Sequence, residues 1–141
     1  GHLVHTQALH LLFNVGGLLL LGTLGERRHL PKFFLLFLPT ALGLSTILLL
    51  AGDVPRYCGL SGILNTWLVW VLYSLWREHP SPLLAIIAGV YFAKLISEAL
   101  AGDSLFIANG WPSLPLAHIS GMLIGLAWVA WDYRTQKLAL P

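Results

Sequence analysis

A serine and a histidine in this 141-residue chain have the residue types and settings that hydrolytic chemistry needs. Ser61 lies in the stretch "GLSG" before an apolar run, and His118 lies in "AHISG" at the start of another. A serine hydroxyl attacks a carbonyl when a base accepts its proton, and histidine does this near neutral pH. Because no acid is evident as a third member, the pattern predicts a Ser61–His118 dyad.

Donors for an oxyanion accompany this pair. His10 and Asn14 are four residues apart and therefore share one face of a helix. Ser61 at a helix start adds unpaired backbone N–H groups and the positive end of the helix dipole. Such groups stabilise a developing oxyanion. Taken singly, Ser61 fits an N-cap or a packing position, and Asn14 fits a tie between helices; the conjunction of all four favours catalysis.

The elements that position these residues are apolar runs. The chain is 57% hydrophobic and 10% charged, with a mean hydropathy of +0.76, whereas soluble domains carry about 25% charge. A membrane helix needs roughly 20 apolar residues, and no run alternates as a strand would. We therefore predict an all-α polytopic membrane protein, a single domain over residues 1–141, with five transmembrane helices. Their predicted ranges are 8–25, 33–51, 60–76, 83–100 and 116–133.

The basic residues predict which side of the membrane each loop faces, since cytoplasmic loops are enriched in Lys and Arg. The cytoplasmic set is Arg27, Arg28, Lys32, Arg77, Arg134 and Lys137, against Arg56 on the other side. This orientation puts His10, Asn14, Ser61 and His118 together in the outer half of the bilayer. It also puts the N-terminus outside, so we expect that a further helix precedes this chain.

In order and spacing, four motifs resemble the rhomboid intramembrane serine proteases. They are "HTQALHLLFN", "GTLGE", "GLSG" and "AHISGMLIG", and the five runs correspond to the family's second to sixth helices, with the first absent. The resemblance implies a rhomboid-like helical bundle. It makes Ser61 the nucleophile and His118 the general base and acid. His10, Asn14 and the Ser61 amide would form the oxyanion hole.

Other positions carry supporting roles. Gly121 and Gly125 in "GMLIG" form a small-residue surface for close helix packing. By the resemblance, His5 helps to shape a water-accessible cavity, and Gly59 and Gly62 flank the nucleophile in the pocket. Asn65 stands where rhomboids carry a tyrosine that stacks on the catalytic histidine, and we expect Asn65 to hydrogen-bond His118 instead.

The stretches "YCGLSGILN" and "KLISEALAG" resemble the rhombosortase branch of the family. That branch is associated with bacterial proteins that end in a GlyGly-CTERM signal: a Gly-Gly motif, a transmembrane helix and a basic tail. Lys94 and Glu98 form an i,i+4 pair, which is either mutually neutralising or part of a substrate site. The expected setting is the bacterial inner membrane, with the active site open to the periplasmic side.

Three functions stay open at this point: a rhombosortase, a general rhomboid protease of single-span substrates, and a non-catalytic rhomboid-like binding protein. The expected partners are the lipid bilayer and a membrane-anchored protein substrate with a C-terminal transmembrane tail. No nucleic-acid partner is expected, since the net charge is +2 and no basic stretch is interleaved with aromatics. Neither a metal nor another cofactor is expected, because acids and histidines do not cluster at ligand spacing.

Overall fold

A computed structural model describes residues 1–27, 35–52, 57–101 and 114–138, with the side chains of Ala101 and of residues 136–138 left out. These described residues form five helices and no strand, which confirms the predicted all-α fold. The helices are α1 (Ala8–Arg27), α2 (Phe37–Ala51), α3 (Ser61–Glu78), α4 (Pro82–Ala101) and α5 (Pro115–Leu138).

Proline, serine and glycine fix several helix ends. Pro82 and Pro115 are the first residues of α4 and α5, where the missing N–H of proline costs no intrahelical hydrogen bond. The Ser81 hydroxyl accepts a hydrogen bond from the Leu84 N–H at 3.4 Å and so caps α4. Gly52 ends α2 with a φ of +79°, and its N–H donates to the Leu49 carbonyl at 3.3 Å.

Helix α3 is the centre of the bundle. It contacts all four other helices, and its most extensive contact is with α5, which also packs on α2 and α4. Its inner face buries Ile63, Trp67 and Val71, each at most 1% exposed. Burying large apolar side chains together stabilises the helix contacts even where the outer surface faces lipid.

The outward surface of the bundle is apolar. Helices α1 and α4 (over Pro82–Leu100) are long and apolar enough to cross a membrane, yet only 22% and 17% of their most apolar windows are buried in the protein. Leu19, Leu83 and Leu100 are each more than 60% exposed. Helix α2 is apolar but shorter, at 15 residues. These surfaces suit contact with lipid chains, and the chain is an integral membrane protein.

Four helix ends meet at one end of the bundle: the starts of α1, α3 and α5 and the end of α4. Two of the residues used to predict orientation, Arg28 and Lys32, lie outside the described residues, as does Arg56. The side chain of Lys137 is likewise not described. The side of the membrane that this end faces therefore stays a prediction.

Candidate active site

Ser61 and His118 are in direct contact. Ser61 is the first residue of α3, and His118 lies in the first turn of α5. The Ser61 Oγ and the His118 Nε2 are 2.8 Å apart, a hydrogen-bond distance at which the ring nitrogen can accept the hydroxyl proton. The His118 side chain is 12% exposed, so the pair is largely shielded from solvent. This geometry is what a nucleophile and its general base require.

Small residues allow the two helices to approach this closely. A Cβ at Gly121, one turn after His118, would collide with the carbonyl oxygen of Gly62, the neighbour of Ser61. A Cβ at Gly62 would in turn lie 3.1 Å from the Tyr57 hydroxyl and 3.2 Å from the Ala117 carbonyl oxygen. The spacing between α3 and α5 at the site is therefore set by glycines. The Tyr57 hydroxyl beside Gly62 is neutral at physiological pH, because burial raises the pKa of Tyr57 to about 12.

A carboxylate contacts the histidine from α4. The Glu98 Oε2 is 2.7 Å from the His118 Nδ1, and the Glu98 Oε1 accepts a hydrogen bond from the Lys94 Nζ at 2.8 Å. The Glu98 side chain is fully buried. The prediction that no acid accompanies the Ser61–His118 pair is therefore wrong, because the Glu98 carboxylate contacts His118.

The sequence did carry a signal for Glu98, although its meaning was ambiguous. The i,i+4 spacing predicted the contact with Lys94 but gave no indication of which other helix the carboxylate would meet. Its position near the end of α4 was the clue, because that end lies beside the start of α5.

His10 and Asn14 lie beside the loop that leads into Ser61. Gly59 has a φ of +107°, and a Cβ there would lie 2.7 Å from the His10 Nε2 and 3.6 Å from the Asn14 Nδ2. Asn14 is 3% exposed, and its Nδ2 donates to the His10 carbonyl at 3.0 Å. An amide nitrogen has two N–H donors, so this bond uses one of them. These side chains therefore lie beside Gly59, which is two residues before Ser61 and the first N–H groups of α3.

His5 extends this polar group toward the N-terminal segment. Its ring lies 5.1 Å from the His10 ring in an edge-to-face arrangement. The His5 Nε2 is buried and has no hydrogen-bond partner among the described residues. Within the same part of the chain, no group of three His, Cys, Asp or Glu side chains is placed to hold a metal ion.

Asn65 has a different partner from the one predicted. Its Nδ2 donates to the carbonyl oxygen of Ser61, one turn earlier on α3, at 2.7 Å. Both ring nitrogens of His118 are already within hydrogen-bond distance of Ser61 and Glu98. The expected Asn65–His118 hydrogen bond is therefore wrong, because both ring nitrogens of His118 have other partners.

The second glycine of the predicted packing surface also faces α3. A Cβ at Gly125 would lie 2.9 Å from the Thr66 carbonyl oxygen and 2.9 Å from the Val69 Cβ. The Thr66 Oγ1 donates to the Gly121 carbonyl at 2.7 Å, which ties the two helices together between the glycines. Gly121 and Gly125 therefore form one contact surface with α3.

The chain as a whole is similar to known proteins. Residues 2–135 match the Rhomboid domain. A relative from Haemophilus influenzae (strain ATCC 51907 / DSM 11121 / KW20 / Rd), "Rhomboid protease GlpG", is 28% identical over 138 residues, which cover 98% of this chain and 70% of the relative. No solved structure matches the chain.

Proposed function

This chain belongs to the rhomboid family, and from that premise we propose that it is an intramembrane serine endopeptidase with Ser61 as nucleophile and His118 as general base. The observation that carries the proposal is the 2.8 Å contact between the Ser61 Oγ and the His118 Nε2. The name of the Haemophilus influenzae relative, a rhomboid protease, supports the same reaction.

The first half of the reaction follows from this contact. As the Ser61 oxygen attacks the scissile carbonyl carbon, its proton passes to the His118 Nε2. The carbonyl oxygen becomes an oxyanion, which the Ser61 N–H and the side chains of Asn14 and His10 stabilise. His118 then gives the proton to the leaving amine, the peptide C–N bond breaks, and an ester on Ser61 remains.

Hydrolysis of that ester repeats the steps with water as the nucleophile. His118 accepts a proton from the water, and a second oxyanion forms beside the Ser61 N–H, Asn14 and His10. The ester C–O bond then breaks as His118 returns the proton to the Ser61 oxygen. The polar side chains of His5, His10 and Asn14 provide hydrogen-bond partners for this water inside a largely apolar bundle.

For the substrate, we propose a membrane-anchored protein with a C-terminal GlyGly-CTERM tail, cleaved near the outer face of the bacterial inner membrane. Two sequence features support this finer assignment: Asn65 in place of the stacking tyrosine, and the stretches "YCGLSGILN" and "KLISEALAG", which resemble the rhombosortase branch. The general rhomboid protease is the competing function, and it predicts cleavage of single-span proteins with little dependence on the Gly-Gly motif.

The test uses the purified protein in proteoliposomes with a single-span reporter that ends in Gly-Gly, an apolar helix and a basic tail. Ser61→Ala and His118→Ala should each abolish cleavage, and a fluorophosphonate probe should label wild type but not Ser61→Ala. Ser74→Ala is the matched control, since it removes a hydroxyl from the same helix 13 positions away.

Cleavage by Ser61→Ala at the wild-type rate would rule out the nucleophile. If wild type neither cleaves the reporter nor reacts with the probe, the non-catalytic binding protein becomes the better assignment. A second reporter with the Gly-Gly pair replaced by two leucines separates the two protease functions: loss of cleavage supports the tail-specific enzyme, and an unchanged rate supports the general one.

A further inference from the structure

Glu98 completes a continuous line of polar contacts through three helices. The line runs from the Ser61 Oγ on α3 to the His118 Nε2 on α5 at 2.8 Å. From the His118 Nδ1 it continues to the Glu98 Oε2 on α4 at 2.7 Å, and from the Glu98 Oε1 to the Lys94 Nζ at 2.8 Å. We propose that Glu98 is a positioning residue for His118 and that Lys94 holds its charge, so that the catalytic unit is a Ser–His–Glu arrangement. This inference rests on the proposed protease function.

The burial of Glu98 shows how this carboxylate can exist inside the bundle. The side chain is 0% exposed, and an unpaired carboxylate is strongly disfavoured in so apolar a setting. Each of its two oxygens has a partner, Lys94 for Oε1 and His118 for Oε2. The Lys94 side chain is 26% exposed, so the cation keeps some access to polar surroundings while it neutralises the acid.

The same geometry decides which ring nitrogen of His118 carries the proton. A carboxylate accepts and does not donate, so the Nδ1 facing Glu98 bears the hydrogen. In the neutral ring, the Nε2 is then an acceptor that points at the Ser61 hydroxyl. The ring is thus held in both the orientation and the tautomer that a general base needs. When the ring gains the serine proton, the adjacent carboxylate stabilises the cation that forms.

No other described side chain is placed to do this. The Asn65 amide donates to the Ser61 carbonyl, and Asn14 donates to the His10 carbonyl. The purely structural alternative is that Lys94 and Glu98 only neutralise each other within α4. That alternative accounts for the Oε1 contact and leaves the Oε2 contact with His118 without a role.

The central variant is Glu98→Gln, which keeps the size of the side chain and removes its charge. Lys94 is partly exposed and can turn outward, so the variant leaves no isolated buried charge. We expect the rate constant for fluorophosphonate labelling and the kcat for the reporter to fall by about 10²–10⁴-fold, with KM changed much less. Glu78→Gln, the same chemical change at the exposed end of α3, is the matched control and should stay within twofold of wild type.

A second readout would be unaffected by a merely structural role. In the pH–rate profile, the acid limb of Glu98→Gln should be displaced from that of wild type, because the His118 ring no longer has an anionic partner. Among the described residues, Ser61 and Lys94 contact His118 and Glu98 directly, and Tyr91 of α4 and His10 of α1 interact with them electrostatically; the residues of α2 include no titratable side chain. Only Glu98 changes between the two proteins, so the displacement reports on its charge.

A third readout does not need activity. In the Ser61→Ala background, ¹⁵N spectra of labelled histidine in detergent micelles should show His118 protonated at Nδ1. Adding Glu98→Gln should shift the tautomer population toward Nε2–H. If Glu98→Gln does not fold, Lys94→Met/Glu98→Gln removes the pair together, which membrane and soluble interiors tolerate better than a single charge. The same loss of rate is expected.

The outcomes separate the two proposals. A Glu98→Gln protein with the wild-type rate, pH profile and tautomer overturns the positioning role while the dependence on Ser61 stands. Cleavage that persists in Ser61→Ala overturns the protease function itself. If Glu98→Gln loses activity but leaves the His118 tautomer and the acid limb of the pH–rate profile unchanged, Glu98 has a structural role alone and the inference is refuted.

Discussion

Gly121→Ala is the sharpest test of how the fold builds the site. The glycine lies three residues after His118 on α5 and has no side chain that could take part in the reaction. Its added Cβ would collide with the Gly62 carbonyl oxygen and lie 3.0 Å from the Gly62 carbonyl carbon and 3.2 Å from the Asn65 Cβ. Non-bonded carbon atoms pack at about 3.5–4.0 Å. Because two of these neighbours are backbone atoms, the helices themselves have to separate.

The size of the effect follows from these distances. Restoring ordinary contact with the Gly62 backbone requires α5 to move away from α3 by about 1 Å at this level. The same movement lengthens the 2.8 Å contact between the Ser61 Oγ and the His118 Nε2 to roughly 3.8 Å, beyond hydrogen-bond range. A misplacement of about 1 Å costs on the order of 10²-fold in rate. We therefore expect about a 100-fold slower fluorophosphonate labelling of Ser61.

The assay is labelling by the fluorophosphonate probe in detergent, with thermal unfolding measured on the same sample. Gly89→Ala on α4 is the matched control, because a Cβ at that exposed position meets nothing within 4 Å. It should label at the wild-type rate. A Gly121→Ala protein that is folded and labels as fast as wild type would refute the argument that this glycine sets the distance between the two residues.

Three further predictions concern the surroundings of Ser61. Gly59→Ala should lower the free energy of unfolding by about 1–2 kcal/mol because the φ at this position is left-handed, and its methyl group should displace His10. Denaturant unfolding measures the first effect, and the rate of labelling measures the second. Unchanged values in both assays would contradict the prediction. Asn14→Ala should reduce kcat for the reporter by about 10²–10³-fold with little change in KM, as expected for loss of an oxyanion donor; a change in KM alone would assign Asn14 to substrate binding. Thr66→Val removes the hydroxyl that donates to the Gly121 carbonyl and should cost about 1 kcal/mol of stability in a steric-trapping or thermal assay, with labelling reduced less than in Gly121→Ala.

Much of the fold was predictable because membrane helices are visible in the sequence as long apolar runs. The predicted run 60–76 became Ser61–Glu78, and 83–100 became Pro82–Ala101. Long apolar segments that satisfy their own backbone hydrogen bonds have few alternatives in lipid, and proline and glycine mark their ends. Helix α2 is described from Phe37, and its start was predicted at residue 33. Residues 33 and 34 lie outside the part of the chain that the structure describes.

The hydrogen-bond partners of the polar side chains lie either on the same helix or on another helix. Asn65 and Asn14 donate to carbonyls one turn earlier on their own helices, contacts that follow from i,i+4 geometry. The contact of Asn65 with His118 was nevertheless predicted from the family pattern, whereas the amide donates to the Ser61 carbonyl on its own helix. The Lys94–Glu98 contact is of the same local kind and was predictable from spacing alone.

The contact between Glu98 and His118 was decided by the tertiary structure. Sequence periodicity states which residues share a face of one helix but not how far that helix is rotated toward its neighbours. That rotation is set by packing, here by glycines on α5 seated against the backbone of α3 and by the close approach of the end of α4. The sequence by itself determined an all-helical membrane protein with a serine and a histidine at helix starts, and the packing determined that a buried carboxylate meets the histidine from the other side.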